Sequence, residues 1–182
     1  MVYRRLVSFI EEKKDLIAKM WVNETRASKY MRTYQKLTDG ELEKRSKKLI
    51  ENLIIFLKED ISKNKIGKYF AGVGRERYKE KFPLCEVQYA VYLLKRILWK
   101  TILEKNIFDS TIALQTALEL QTTFHSFFDR GIFFIIRGYM EKQYEELKNR
   151  ENLPEEKLIK YFFPGSFIHP DLDIEELFSK ER

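Results

Sequence analysis

The placement of proline constrains this chain most: one stands at Pro83 and the other three at Pro154, Pro164 and Pro170, so no proline interrupts the chain between Pro83 and Pro154. An interior proline removes a backbone hydrogen bond and clashes with the preceding turn, at about 3 kcal/mol. Where apolar residues also return every three or four positions, the open stretch is predicted to be helical. Only 7 glycines occur, too few for the many tight turns of a sandwich or barrel. At 182 residues the chain suits one domain able to bury roughly 70% of the surface its unfolded form exposes. The expected fold class is all-α.

Val2, Leu6, Phe9, Ile10, Leu16, Ile17, Met20 and Trp21 recur at steps near three and four, which predicts an amphipathic first helix anchored at its end by Trp21. From Asn23 to Leu37 the pattern loosens, and a short helix over the core is expected. Thr38 followed by Glu41 is a capping box, with Leu37 and Leu42 at the staple positions, so a second helix starts here. Gly67, Gly72 and Gly74 cluster, making 64–82 the most loop-like internal stretch, with a short helix at most near its end. The Gly72-Val73-Gly74 run lacks a preceding strand and a following Gly-Lys-Ser/Thr, so it satisfies neither a P-loop nor a dinucleotide fingerprint.

Pro83 suits the first position of a helix carrying Leu84, Val87, Val91, Leu94, Leu98 and Ile102. Tyr89, Tyr92, Leu93, Ile97, Trp99 and Leu103 lie on its other faces, so it belongs in the centre or at an interface. After a break at 106–110, capped by Asp109 or Ser110, the apolar signal runs from Leu114 to Leu147 as one long helix. Gly131 and Gly138 share a face of it, where small residues admit another helix or a second subunit. The remainder, with three prolines, reads as two short helical pieces around a turn.

Charge is unevenly distributed. Residues 1–80 hold 20 basic and 12 acidic residues, 81–182 hold 14 and 16, and the tail from Glu151 counts 4 against 8. A basic half and an acidic tail can attract each other within or between subunits. The alternative is a basic helical nucleic-acid or protein-interaction module using Arg26, Lys29, Arg32 and Lys36 with the Lys44 to Lys48 cluster. The amino terminus lacks the apolar core and cleavage site of a secretory signal. The most apolar run, Gly131 to Ile136, is far short of the ~20 residues that span a bilayer. A cytoplasmic location without membrane insertion is expected.

Chemistry-bearing residues are few. Cys85 is the one cysteine, which excludes an intramolecular disulfide or thiolate metal cluster, and it reads as a small apolar filler. His125 sits in an aromatic stretch as a packed polar residue, and His169 precedes a proline in a turn. Carboxylate pairs such as Glu11/Glu12 and Glu145/Glu146 are adjacent, so on a helix they diverge by about 100° and do not converge on a metal. No Glu-x-x-His occurs, against a ferritin-like di-iron site. Asp129, Arg130 and Arg137 stand in a strongly apolar helix and require partners, either Glu86, the 75–77 cluster or a bound anion. Trp21, Tyr89, Trp99, Phe124, Phe128 and Arg130 are the candidate pocket lining, because aromatic surface supplies binding energy and an arginine can hold an anionic head.

The run Phe128 to Tyr139, Phe-Asp-Arg-Gly-Ile-Phe-Phe-Ile-Ile-Arg-Gly-Tyr, together with Phe82-Pro83-Leu84 to Trp99, resembles the N-terminal sensory domain of RsbR-type regulators, the RsbRD N-terminal group, over residues 3 to 147. The resemblance implies a globin-like helical bundle without haem over 1–150, followed by a short helical tail over 151–182. It also implies a non-catalytic sensory domain that forms a homodimer and relays a signal, or a small apolar or anionic ligand, to a separate signalling partner in stress signalling. Members are usually followed by a STAS domain; with only a short stretch after Leu147, none is expected here. A globin takes its proximal histidine from the segment before the penultimate helix. Residues 64–82 contain no histidine and His125 lies in the last long helix, so neither haem nor any other cofactor is expected.

Overall fold

A computed structural model describes residues 2–58, 63–104, 111–151 and positions 154, 156 and 157. Every regular element among the described residues is helical: α1 (Val2–Ala27), α2 (Asp39–Lys58), α3 (Lys63–Lys79), α4 (Leu84–Glu104) and α5 (Thr111–Glu151), with a single 3₁₀ turn at Tyr34–Lys36. The chain is all-α, in agreement with the globin-like expectation. It divides into two compact units, Met1–Ile61 with Cys85–Arg130 and Ser62–Leu84 with Gly131–Arg182.

In the first unit, α1 buries Leu6, Phe9, Ile10, Ile17 and Trp21 of the stripe read from the sequence, together with Val7, Ala18 and Val22, whereas Leu16 of that stripe is 50% exposed. The helix continues six residues beyond Trp21, so that side chain is not a terminal anchor; it is buried and its Nε1 donates to the Ala90 carbonyl at 3.0 Å. Gln35 ends α1 by donating from Nε2 to the Thr25, Arg26 and Ser28 carbonyls at 2.7–3.1 Å, satisfying acceptors that a helix end leaves open. The expected capping box forms: the Glu41 amide donates to Thr38 Oγ1 at 3.2 Å and the Thr38 amide donates to Glu41 Oε2 at 2.8 Å. α2 runs antiparallel to α1, with Lys14 on Glu51, Lys58 on Glu11 and Arg26 on Asp39. Leu42, Ile50, Leu53, Ile54 and Leu57 form its buried face.

The second unit corrects the sequence reading. Residues 63–79 are helix rather than loop, and of the glycines that suggested a loop Gly74 serves close packing, whereas Gly72 has nothing within 4 Å of where its Cβ would stand. A Cβ at Gly74 would overlap the Ile135 carbonyl oxygen and stand 2.8 Å from the Tyr139 nitrogen; one at Gly138 would overlap the Ala71 carbonyl oxygen and stand 2.7 Å from its carbon. α3 and α5 therefore approach at backbone contact, and Gly131 lies beneath the Phe70 ring. The small residues at Gly131 and Gly138 do admit another helix, as expected, and it is α3.

A Schellman motif closes α3: the Phe82 amide donates to the Arg77 carbonyl at 3.0 Å and the Lys81 amide to the Tyr78 carbonyl at 2.9 Å, with Lys81 left-handed at φ 63°. Glycine is the usual residue there, since a Cβ costs roughly 1 kcal/mol in this conformation. Lys81→Gly is expected to raise stability by about 1 kcal/mol, read as a higher denaturation midpoint; a lower midpoint would show that the lysine side chain outweighs the backbone strain. α4 follows directly after Pro83, and α5 forms the single long helix expected. The expected caps Asp109 and Ser110 lie outside the described residues, as does the tail apart from Glu151, Pro154, Glu156 and Lys157.

Candidate functional site

The aromatic residues of the first unit fall into separate groups. Trp99 of α4 lies 5.4 Å from Phe124 and 5.8 Å from His125 of α5, and Phe124 lies 4.9 Å from Phe128. Phe127 extends this group to Phe128 at 5.2 Å and to Phe56 at 5.2 Å. Phe124, Phe127 and Phe128 are buried, Trp99 is half-buried, and the buried His125 Nε2 finds no hydrogen-bond partner among the described residues. Chemically this is a packed apolar cluster with one imidazole against it. Trp21 meets Tyr34 edge-on at 6.0 Å, while Tyr89 joins Tyr30 at 5.5 Å and Tyr92 at 5.9 Å on the outside of α4. Arg130 follows Phe128 by two residues and is half-buried.

The structure places the remaining polar candidates differently from their expected roles. Asp129 is exposed and ion-paired with Lys95 at 2.6 Å, so it needs no interior partner. Arg137 is buried and its Nε donates to Glu141 Oε1 at 2.7 Å, while Arg75 donates from Nη2 to Glu141 Oε2 at 2.7 Å. The partner of Arg137 is thus one turn along its own helix, and Arg75 alone of the 75–77 cluster joins it through the shared carboxylate. Glu86 is engaged elsewhere, where its carboxylate accepts from the Thr33 amide at 2.8 Å and from Thr33 Oγ1 at 3.0 Å, capping the turn before Tyr34–Lys36. Cys85 is exposed, so it is not the buried filler expected; helix periodicity turns the first residue after Leu84 outward.

The basic row is partly neutralised within the chain. Arg26 donates to Asp39 and to the Gln35 and Leu37 carbonyls. Lys47 sits 3.0 Å from Asp15 and 3.1 Å from Glu43. The hydrogen bond and charge of Lys47 hold the Asp15 carboxyl below the usual carboxylate range; chiefly the hydrogen bond to Asp15, then that to Glu43, holds Lys47 above the usual ammonium range. A depressed carboxylate stabilises the fold above its unfolded pKa and loses that as pH falls through the depressed value. A raised ammonium stabilises below its unfolded pKa and loses that as pH rises through the raised value. The contribution is flat across neutral pH and lost at both extremes. Lys47→Met is expected to reduce the fall in melting temperature between neutral pH and about pH 3, whereas an unchanged fall would show that the pair adds nothing.

Among the described residues no group of three or more histidine, cysteine or acidic side chains could hold a metal ion, and no helix is long and apolar enough to cross a membrane. A family model, the RsbT co-antagonist protein rsbRD N-terminal domain, matches residues 15–153. The chain belongs to this family, a group of sensory and regulatory domains of stress-signalling regulators. No curated protein and no solved structure matches it.

Proposed function

We propose that this chain is a non-catalytic sensory domain that acts as a cytoplasmic homodimer, relaying a signal or a small apolar or anionic ligand through helix packing to a separate signalling protein. Family membership over residues 15–153 carries this reading. The sensory domain is assigned to 1–150 and the tail to 151–182. The ligand site is assigned to Trp99, Phe124 and Phe128 with Trp21, Tyr89 and Arg130. The support is the aromatic contact of the first three and the half-buried guanidinium near them in sequence.

Decanoate, an apolar chain with an anionic head, is the probe for this site. Saturating decanoate is expected to raise the melting temperature of the wild type. Arg130→Met is expected to keep the unliganded melting temperature within about 2 °C and to lose the rise, a ligand-linkage effect. A fall of several degrees in the unliganded variant would assign Arg130 to a structural pair instead, and an equal rise in both proteins would remove it from the site.

A further inference from the structure

The outer face of α4, half-buried at Tyr89 and Trp99 and exposed at the positions between and beyond them, carries a regular pattern. Cys85, Tyr89, Tyr92, Arg96, Trp99 and Leu103 follow one another at steps of four, three, four, three and four, the spacing of a coiled-coil seam. All six stand outside the buried set, with Tyr92 49% and Leu103 50% exposed, and Tyr30, 58% exposed, widens the strip beside Tyr89. Five of the six are apolar or aromatic. A seam of this length on a protein surface marks an interaction face.

We propose that this strip is the homodimer interface and that two copies of α4 pack across it antiparallel, centred between Tyr92 and Arg96; the inference rests on the homodimer reading above. Two-fold symmetry brings residue i of one copy to residue j of the other and the reverse. Antiparallel pairing about this centre sets Arg96 against Tyr92, Tyr89 against Trp99 and Cys85 against Leu103. A guanidinium on a tyrosine face and two aromatic rings together are favourable contacts. Arg96 can keep its own Glu24, 3.2 Å away, while its plane covers the opposing ring. Parallel pairing would instead set Arg96 on Arg96 and Lys100 on Lys100, and like charges so placed are repelled. The strip is complementary to itself in one orientation, and charge selects it.

Cys85 is the sole cysteine and is exposed, which makes the orientation readable by disulfide formation in the full chain. Under mild copper-catalysed oxidation, L103C is expected to give a covalent dimer, while the wild type and C85S/L103C give none. A covalent wild-type dimer would mean that α4 meets its own copy in parallel, and a covalent C85S/L103C dimer would also overturn the proposed register. Sedimentation equilibrium of Tyr92→Glu is expected to show a dimer dissociation constant raised about 30-fold or more, the effect of losing a central anchor. A stable dimer unaffected by Tyr92→Glu and uncrosslinked in L103C would overturn this interface and leave the dimer reading standing. A monomeric wild type would overturn both.

Discussion

Gly138→Ala is expected to cost about 3 kcal/mol or more, among the largest effects of a single added methyl group. Overpacking is tolerated when a flexible side chain can move aside, but the atoms facing Gly138 are the Ala71 carbonyl oxygen, carbon and Cα, fixed within α3. Gly74→Ala meets the same obstacle from the opposite side, where the Ile135 carbonyl and the Tyr139 amide stand. Both substitutions push α3 and α5 apart and open the second unit, so Phe70 and Ile135 lose their cover. Gly72→Ala supplies the control: it lies in the same helix with nothing within 4 Å of the added carbon, and better helix propensity is expected to stabilise it by about 0.5–1 kcal/mol. Chemical denaturation of the three variants checks the ordering. Equal, small effects at Gly74 and Gly138 would refute the backbone contact.

Glu141→Leu is expected to be comparably severe. Glu141 receives both the Arg75 and the Arg137 guanidinium, and its side chain and that of Arg137 are only 15% and 6% exposed. Removing the carboxylate leaves Arg137 buried without its main counter-charge, a change that costs roughly 3–5 kcal/mol. Arg75, 40% exposed, can turn to solvent and contributes less. Arg75→Met is therefore expected to cost under about 1 kcal/mol, and denaturation midpoints of the two variants decide the point. A mild Glu141→Leu would mean that water or another acidic group already balances Arg137.

What can be read from the sequence, and what cannot, follows from how local each determinant is. The Thr38 and Glu41 capping box involves two residues three apart, so its hydrogen bonds are predictable in detail. The long α5 follows from an apolar period uninterrupted by proline. By contrast, Gly67, Gly72 and Gly74 read as a loop because glycine lowers helix propensity; what holds α3 helical is a partner some sixty residues away, pressed against Gly74 and visible only in three dimensions. Asp129 departs from its expected interior position because an apolar neighbourhood in sequence does not fix which face a residue takes, and here it faces outward to Lys95. Arg137 does have a local clue, since Glu141 stands four residues on, the separation at which helical side chains meet. The candidate aromatic site is legible as composition but not as grouping. Trp99, Phe124 and Phe128 come together, whereas Tyr89 turns outward to Tyr30 and Tyr92. The strip on α4 is legible only as a helix apolar around much of its circumference; the burial pattern separates the faces covered within the first unit from the more open one.

A sensory domain that works as a pair is tested most directly by native mass spectrometry of freshly purified protein, because a single spectrum reports subunit number and any retained small molecule. The spectrum is predicted to show a dimer carrying an additional small mass. A bare monomer at every concentration would contradict it.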